Sequence, residues 1–366
     1  MVEMIVRFFC FICLWLTSAL AVAADFRVTF INPGYDRGFW GDVSRTMEAA
    51  AKDLSADVEV LYAEWRPYGM EELLQSRLKR GDPPDYFIFV NSEKSSARMM
   101  QLLDGAPSKV LFLLDNLSPQ QRLGLEKRHI GLGNIVASVV PDDETAGYET
   151  ARALISEARE HLPERSGFRM LSLTGRASSD ASREREVGML RAVLENPDLE
   201  LLHSLPANWM QEQAYLRTRE ILQRSRIDLV WSANDGMSFG AQRAVREAGL
   251  EPGRDVLFTG VDWSSEAMAA VRDGSMTMTY GGHFFAGAWA IVILRDHFFR
   301  EAMGEVYVDV RFKMSPITAD NVDLYIERLG DRDWERIDFK AFCKSVDRPG
   351  GYDFSSETLL EAVEAR

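Results

Sequence analysis

Carboxylates, amides, guanidinium groups and large aromatic rings recur directly after the apolar runs of this chain. Val28–Asn32 leads into Tyr35, Asp36, Arg37, Phe39 and Trp40, and Val110–Leu114 into Asp115-Asn116. Met170–Thr174 is followed by Ser182-Arg183-Glu184-Arg185, Leu199–Leu205 by Asn208-Trp209, Leu229–Ser232 by Asn234-Asp235, and Val256–Val261 by Asp262-Trp263. A carboxylate, amide or guanidinium can bond two neighbouring hydroxyls at once, and a flat ring offers apolar surface to a C–H face. The mixture suits a small ring bearing several hydroxyls. Each residue also has a plainer role. An Asp or Asn after a strand is commonly a helix N-cap, and Trp40 and Trp209 could be core. Recurrence at five or more run ends favours a shared site.

The elements that must position these groups follow from the apolar pattern. Further runs rich in Val, Ile, Leu and Phe lie at Val58–Tyr62, Tyr86–Val90 and Ile135–Val140. Amphipathic stretches of helical length alternate with them: Trp40–Leu54, Met70–Arg80, Glu144–Leu162, Arg183–Glu195, Gln211–Arg224, Ser238–Ala248 and Phe284–Met303. Continuous apolar strands alternating with helices indicate parallel sheets covered on both faces. Nine strands are many for one such sheet, so the pattern predicts an α/β fold of two doubly wound parallel-sheet domains. In that architecture ligands bind beyond the carboxyl ends of the strands, where the polar and aromatic residues stand.

Composition narrows the function. The chain has 366 residues, with 56 acidic against 42 basic side chains and a formal charge of -14. Nucleic acid is disfavoured as a partner, because phosphate neutralisation needs clustered Lys and Arg. Cys10 and Cys13 lie in an apolar N-terminal stretch and leave Cys343 alone, so no internal disulfide is expected. His129, His161, His203, His283 and His297 are scattered singly, which argues against a metal site. No GxxxxGK[ST] or HExxH motif is present, and neither an enzyme nor a cofactor is expected. Residues 1–24 read as a secretory signal: Arg7, the apolar run Phe8–Leu20, then Ala21-Val22-Ala23. The run is shorter than the ~20 residues of a membrane span.

Four segments resemble the type I, ribose-binding-like class of periplasmic sugar-binding proteins. Asp25–Lys52 resembles its opening strand, aromatic loop and first helix, and Ser182-Arg183-Glu184-Arg185 its S/A-R-E-R segment. Ser232-Ala233-Asn234-Asp235-Gly236-Met237 through Ala241 resembles its AxNDxMAxGA segment, and Thr259-Gly260-Val261-Asp262 its VGxD strand end. The resemblance implies that Phe39, Trp40 and Trp209 sandwich a sugar ring, while Asp115, Arg183, Asn234 and Asp262 bond its hydroxyls. It places Arg185 behind Arg183, and Asp235 as the cap of the following helix. The chain departs from the pattern at Asn116, where an Arg is common. It departs again in the first loop, which brings Tyr35 and Arg37, at Trp263, and at the run Tyr280–His283 near a hinge. Tyr35, Arg37, Asn116, Trp263 and His283 join the candidate ligand contacts.

The implied architecture is two lobes joined by a three-crossing hinge near Val139, Gly282 and Phe312. Residues 25–138 plus 283–311 form the first lobe and 139–282 plus 312–330 the second, with 331–366 as a C-terminal extension. The implied function is that of an exported, periplasmic, monomeric binding protein delivering a sugar-like ligand to an ABC permease. The alternative is a sensor subunit reporting occupancy to a membrane kinase, cyclase or chemoreceptor.

Overall fold

The computed structural model describes residues 24–299, 307–344 and 351–363; the signal segment, up to residue 23, lies outside them. Two six-stranded sheets organise the chain. The first contains β1 (Phe26–Asn32), β2 (Ala56–Tyr62), β3 (Tyr86–Phe89), β4 (Lys109–Leu113) and β5 (Ile135–Pro141), with β11 (Val308–Phe312) at one edge. Its order is β11-β5-β4-β3-β1-β2, parallel throughout. The second contains β6 (Phe168–Thr174), β7 (Leu199–Pro206), β8 (Leu229–Ser232), β9 (Leu257–Val261), β10 (Met278–Gly281) and β12 (Ser315–Thr318). Its order is β12-β10-β9-β8-β6-β7, with β12 alone antiparallel.

Helices α1 (Gly38–Asp53), α2 (Gly69–Lys79), α3 (Ser96–Leu102) and α4 (Pro119–Glu126) connect the first sheet's strands. α5 (Asp143–His161), α6 (Asp180–Leu194), α7 (Gln211–Leu222), α8 (Asp235–Glu247) and α9 (Ser265–Asp273) serve the second. β3 is buried at every position and β4 at four of five, which is why both read as unbroken apolar runs: helices cover both faces. α10 (Ala286–Phe298) is apolar almost all round and packs against α1 and the first sheet. The chain therefore passes between the sheets after β5, after β10 and after β11.

The sequence pattern missed the last three strands, the helices α3, α4 and α9, and the two helices that follow β12. β10 and β12 have four residues each, and β11 is an edge strand with alternating burial, so none shows a long apolar run. The chain ends in α11 (Val322–Leu329), two short 3₁₀ turns and α12 (Ser356–Glu361). α11 packs on α9, while Trp334 stacks near Phe284 and Phe285, and Phe342 and Phe354 lie against Trp289. Trp263 is 1% exposed within this region.

Candidate functional site

The site is built around Arg185. On α6 the buried positions Ser182, Arg185, Gly188, Met189 and Ala192 fall on one helical face, and that face meets α5 at unusually short range. A Cβ on Gly147 would lie 1.9 Å from the Arg185 carbonyl, and one on Gly188 1.9 Å from that of Glu144. This closeness lets the Arg185 Nε donate to Asp143 Oδ1 at 2.6 Å, at the start of α5, and its Nη1 to the Ala233 carbonyl at 2.7 Å. Nη2 lies 3.2 Å from His283 Nε2, and the guanidinium sits 5.7 Å from the Trp209 ring. A guanidinium can only donate, so Nε2 accepts and the imidazole proton is on Nδ1. Burial, reinforced by the Arg185 charge, holds the His283 pKa well below its ordinary value. His283 is neutral, and its Nδ1 has no partner among the described residues.

The capping role expected of Asp235 falls to Asn234. Asn234 is the cap of α8, its Oδ1 accepting from Met237 N at 2.9 Å. Asp235 instead accepts at Oδ2 from the Ser264 backbone N–H and hydroxyl, each at 2.9 Å, and at Oδ1 from Thr279 at 2.8 Å. Burial pushes its carboxyl up to about 6. These bonds pin the loop after β9, where Asp262 and Trp263 have positive φ values of 143° and 58°. Backbone strain of that kind is held only where surrounding contacts over-determine it. Asp262 Oδ1 lies 3.5 Å from His283 Nε2, and its carboxyl is raised well above the usual range by burial, with Asp235 adding to the effect.

The first lobe supplies the opposite wall. Asn32, fully buried at the end of β1, accepts from Gly34 N and donates to the Trp40 carbonyl and Ser44. The loop so held lays Trp40 onto Gly34, and Trp209 lies likewise on Gly175 in the second lobe. A Cβ would approach the two indoles within 2.5 and 2.1 Å, so glycine is required beneath each. Phe39 covers His283, ring centroids 4.6 Å apart. Asp115, directly after β4, has a buried Oδ1 with no partner. Burial pushes its carboxyl up to about 7 despite Lys94, the Asn116 N–H and Arg183. Lys94 and Asp180 pair across the lobes at 2.6 Å, as do Arg176 and Glu93 at 3.0 Å. The cleft is closed.

Other expected contacts lie elsewhere. Tyr35 and Arg37 are exposed and stack on each other, 4.9 Å from guanidinium to ring. Asn116 spends its side chain on Leu117 N, Arg122 and Tyr307. Arg183 is exposed and paired with Asp180 in its own helix turn, its charge still felt at Asp115, because it lies two residues, about 200°, from the buried face that carries Arg185. Trp263 is no cleft aromatic: its indole donates to the Ser315 carbonyl at 2.9 Å and its ring meets Tyr325. Arg185 and Asp143, which sequence reasoning left out of the contacts, are central; the 3.6-residue burial period through Gly188, Met189 and Ala192 was the available signal.

Asp115 makes a pH-dependent contribution with a definite sign. A carboxyl whose folded pKa is raised favours folding when protonated, and that contribution is lost as pH climbs through the folded pKa. Ligand-free protein should therefore lose stability relative to Asp115→Asn between about pH 4 and about pH 7. Melting temperatures of both proteins across that window check it.

A model of the periplasmic binding protein domain family matches residues 28–298. Over 270 residues the chain is 28% identical to the D-allose-binding periplasmic protein of Escherichia coli, covering 72% of this chain and 80% of that one. It is 26% identical to the D-apiose import binding protein of Paraburkholderia graminis, covering 73% and 78%. The crystal structure of a periplasmic sugar-binding protein from Pseudomonas fluorescens superposes with a TM-score of 0.79 at 32% identity, covering 92% of this chain and 99% of that one.

Proposed function

Because the chain belongs to the periplasmic binding protein domain family, we propose that it captures a neutral, polyhydroxylated sugar-like molecule between two lobes and delivers it to an ABC permease. The lobes are those bounded at the crossings expected from the sequence. The observation that carries the reading is that Asp115 Oδ1, at the strand end of the first lobe, and His283 Nδ1, on the ring that Phe39 covers, are among the buried polar atoms without a partner in the described residues. Buried polar groups cost free energy until bonded, so a hydroxyl-bearing ring satisfies what the protein leaves open. Phe39 and Trp40 with Trp209 flank the ring; Asp115, Arg185, Asn234 and Asp262 bond hydroxyls, and His283 donates to an oxygen. Three carboxyls, Asp143, Asp235 and Asp262, stand around one buried guanidinium, that of Arg185, which disfavours an anionic ligand. The chain binds rather than transforms its ligand. It is exported through its N-terminal segment and acts as a monomer. Names of the relatives include import binding proteins, which favours delivery over the sensing alternative.

Thermal shift against a panel of neutral pentoses, hexoses and inositols, with the matching sugar phosphates, tests this. At least one neutral member should raise Tm, since a ligand at 100 Kd stabilises by about 2.7 kcal/mol. Asp262→Ala should weaken that ligand by about 2–5 kcal/mol. A response confined to sugar phosphates, or none, overturns the reading.

A further inference from the structure

The C-terminal extension does more than cover a surface. α11 sits on the second lobe, where Tyr325 meets Trp263 with ring centroids 4.8 Å apart. Four residues beyond Gly330, Trp334 is packed on the first lobe, 5.0 Å from Phe285 and 5.5 Å from Phe284. The chain thus passes between the lobes a fourth time at residues 330–334. Arg332 stands in the middle of that passage with φ at 55°. Its Nη1 donates to Oδ2 of Asp42, the fifth residue of α1, at 3.1 Å. Its Nη2 donates to the Trp263 carbonyl at 2.8 Å, and its Nε to Ser265 Oγ at 3.2 Å. Phe284 and Trp334 lie 5.2 and 5.5 Å from the guanidinium. All three nitrogens are engaged, one on the first lobe and two on the second.

Asp42 follows Phe39 and Trp40 on the same turn, and Trp263 and Ser265 follow Asp262. We propose that the extension is a fourth, clipped crossing, in which Arg332 is a positioning residue that holds the two ligand-bearing loops together and sets how far the cleft opens. A planar fork fixed at three points resists the relative rotation of its anchors better than a single ion pair does. Opening the cleft must separate Asp42 from Trp263 and Ser265, so the clip's contacts belong to the closed form. Whatever is bonded only in one of two forms shifts the balance toward it. The clip therefore lowers the cost that a ligand must meet on closing the lobes. This inference rests on the cleft between the lobes being the ligand site, but its first readout needs no ligand.

Small-angle scattering of the ligand-free full chain should give a larger radius of gyration for Arg332→Ala and for Asp42→Ala than for the wild type. The double variant should match the single ones, because each breaks the same clip. Where a neutral sugar has been found, both variants should bind it roughly fivefold or more weakly, with the loss in faster release and a bound radius equal to that of the wild type. Unchanged radii in both variants overturn the clip, and so does a change confined to Arg332→Ala, since the bond to the first lobe is then idle. If Arg332→Ala does not fold, Asp42→Ala alone decides. If no sugar binds the wild type, the functional reading fails while scattering still judges the clip.

Discussion

Arg185→Ala should lower the folding stability by about 3–5 kcal/mol, the range for removing one partner of a buried ion pair. The side chains of Arg185 and Asp143 are only 4% and 2% exposed. Loss of the guanidinium strands the Asp143 carboxylate, frees the Ala233 carbonyl, and leaves His283 Nε2 without its donor. Urea unfolding measures the effect as a lower midpoint at unchanged slope. Replacing both partners, in Arg185→Met with Asp143→Leu, should cost less than Arg185→Ala, because no charge is then buried alone. Both proteins should fail to bind sugar. A midpoint for Arg185→Ala close to that of the wild type would mean that Asp143 is not ionised against it.

The second large effect belongs to the extension. Trp289, on α10, is 1% exposed and stacks face to face with Phe354 at 4.6 Å and 8° between planes; Phe285 and Phe342 complete its surroundings. Trp289→Ala should cost about 3–5 kcal/mol through lost burial and the cavity left behind. It should also loosen the extension before the lobes unfold, since Phe342 and Phe354 are anchored on that ring. Limited proteolysis reads this directly as early cleavage after residue 330 in the variant, and late cleavage in the wild type. Equal cleavage rates would place the anchoring of the extension elsewhere.

What the sequence revealed of this molecule depended on how each feature is buried. The strands from β1 to β9 lie mostly in sheet interiors and show as apolar runs. β10 to β12 are short, and their burial comes from the hinge and the extension, which no local pattern records. The edge proposed to bind was legible because strand ends in parallel sheets must face it, and Asp115, Trp209, Asn234 and Asp262 follow strand ends. Side-chain direction was not. Arg183 and Arg185 differ only in the helix face they occupy, and Asn234 and Asp235 in which donors their side-chain oxygens meet. Trp263 turns away from the cleft because its positive φ carries the indole under the hinge, against Tyr325 and Ser315. The clip of Arg332 joins residues 290 positions apart, a juxtaposition that only the closed fold creates.

Ring faces from opposite lobes are expected to hold one neutral, hydroxyl-bearing ligand. Titration calorimetry of the wild type, Trp40→Ala and Trp209→Ala with the sugar that gives the largest thermal shift tests it most directly. One saturable site per chain is expected in the wild type, and a loss of about 1.5–3 kcal/mol in each variant, the scale of the apolar burial that a large side chain contributes. Both variants must lose affinity, because Trp40 stands on the first lobe and Trp209 on the second. Full affinity in either one would contradict a site shared between the lobes.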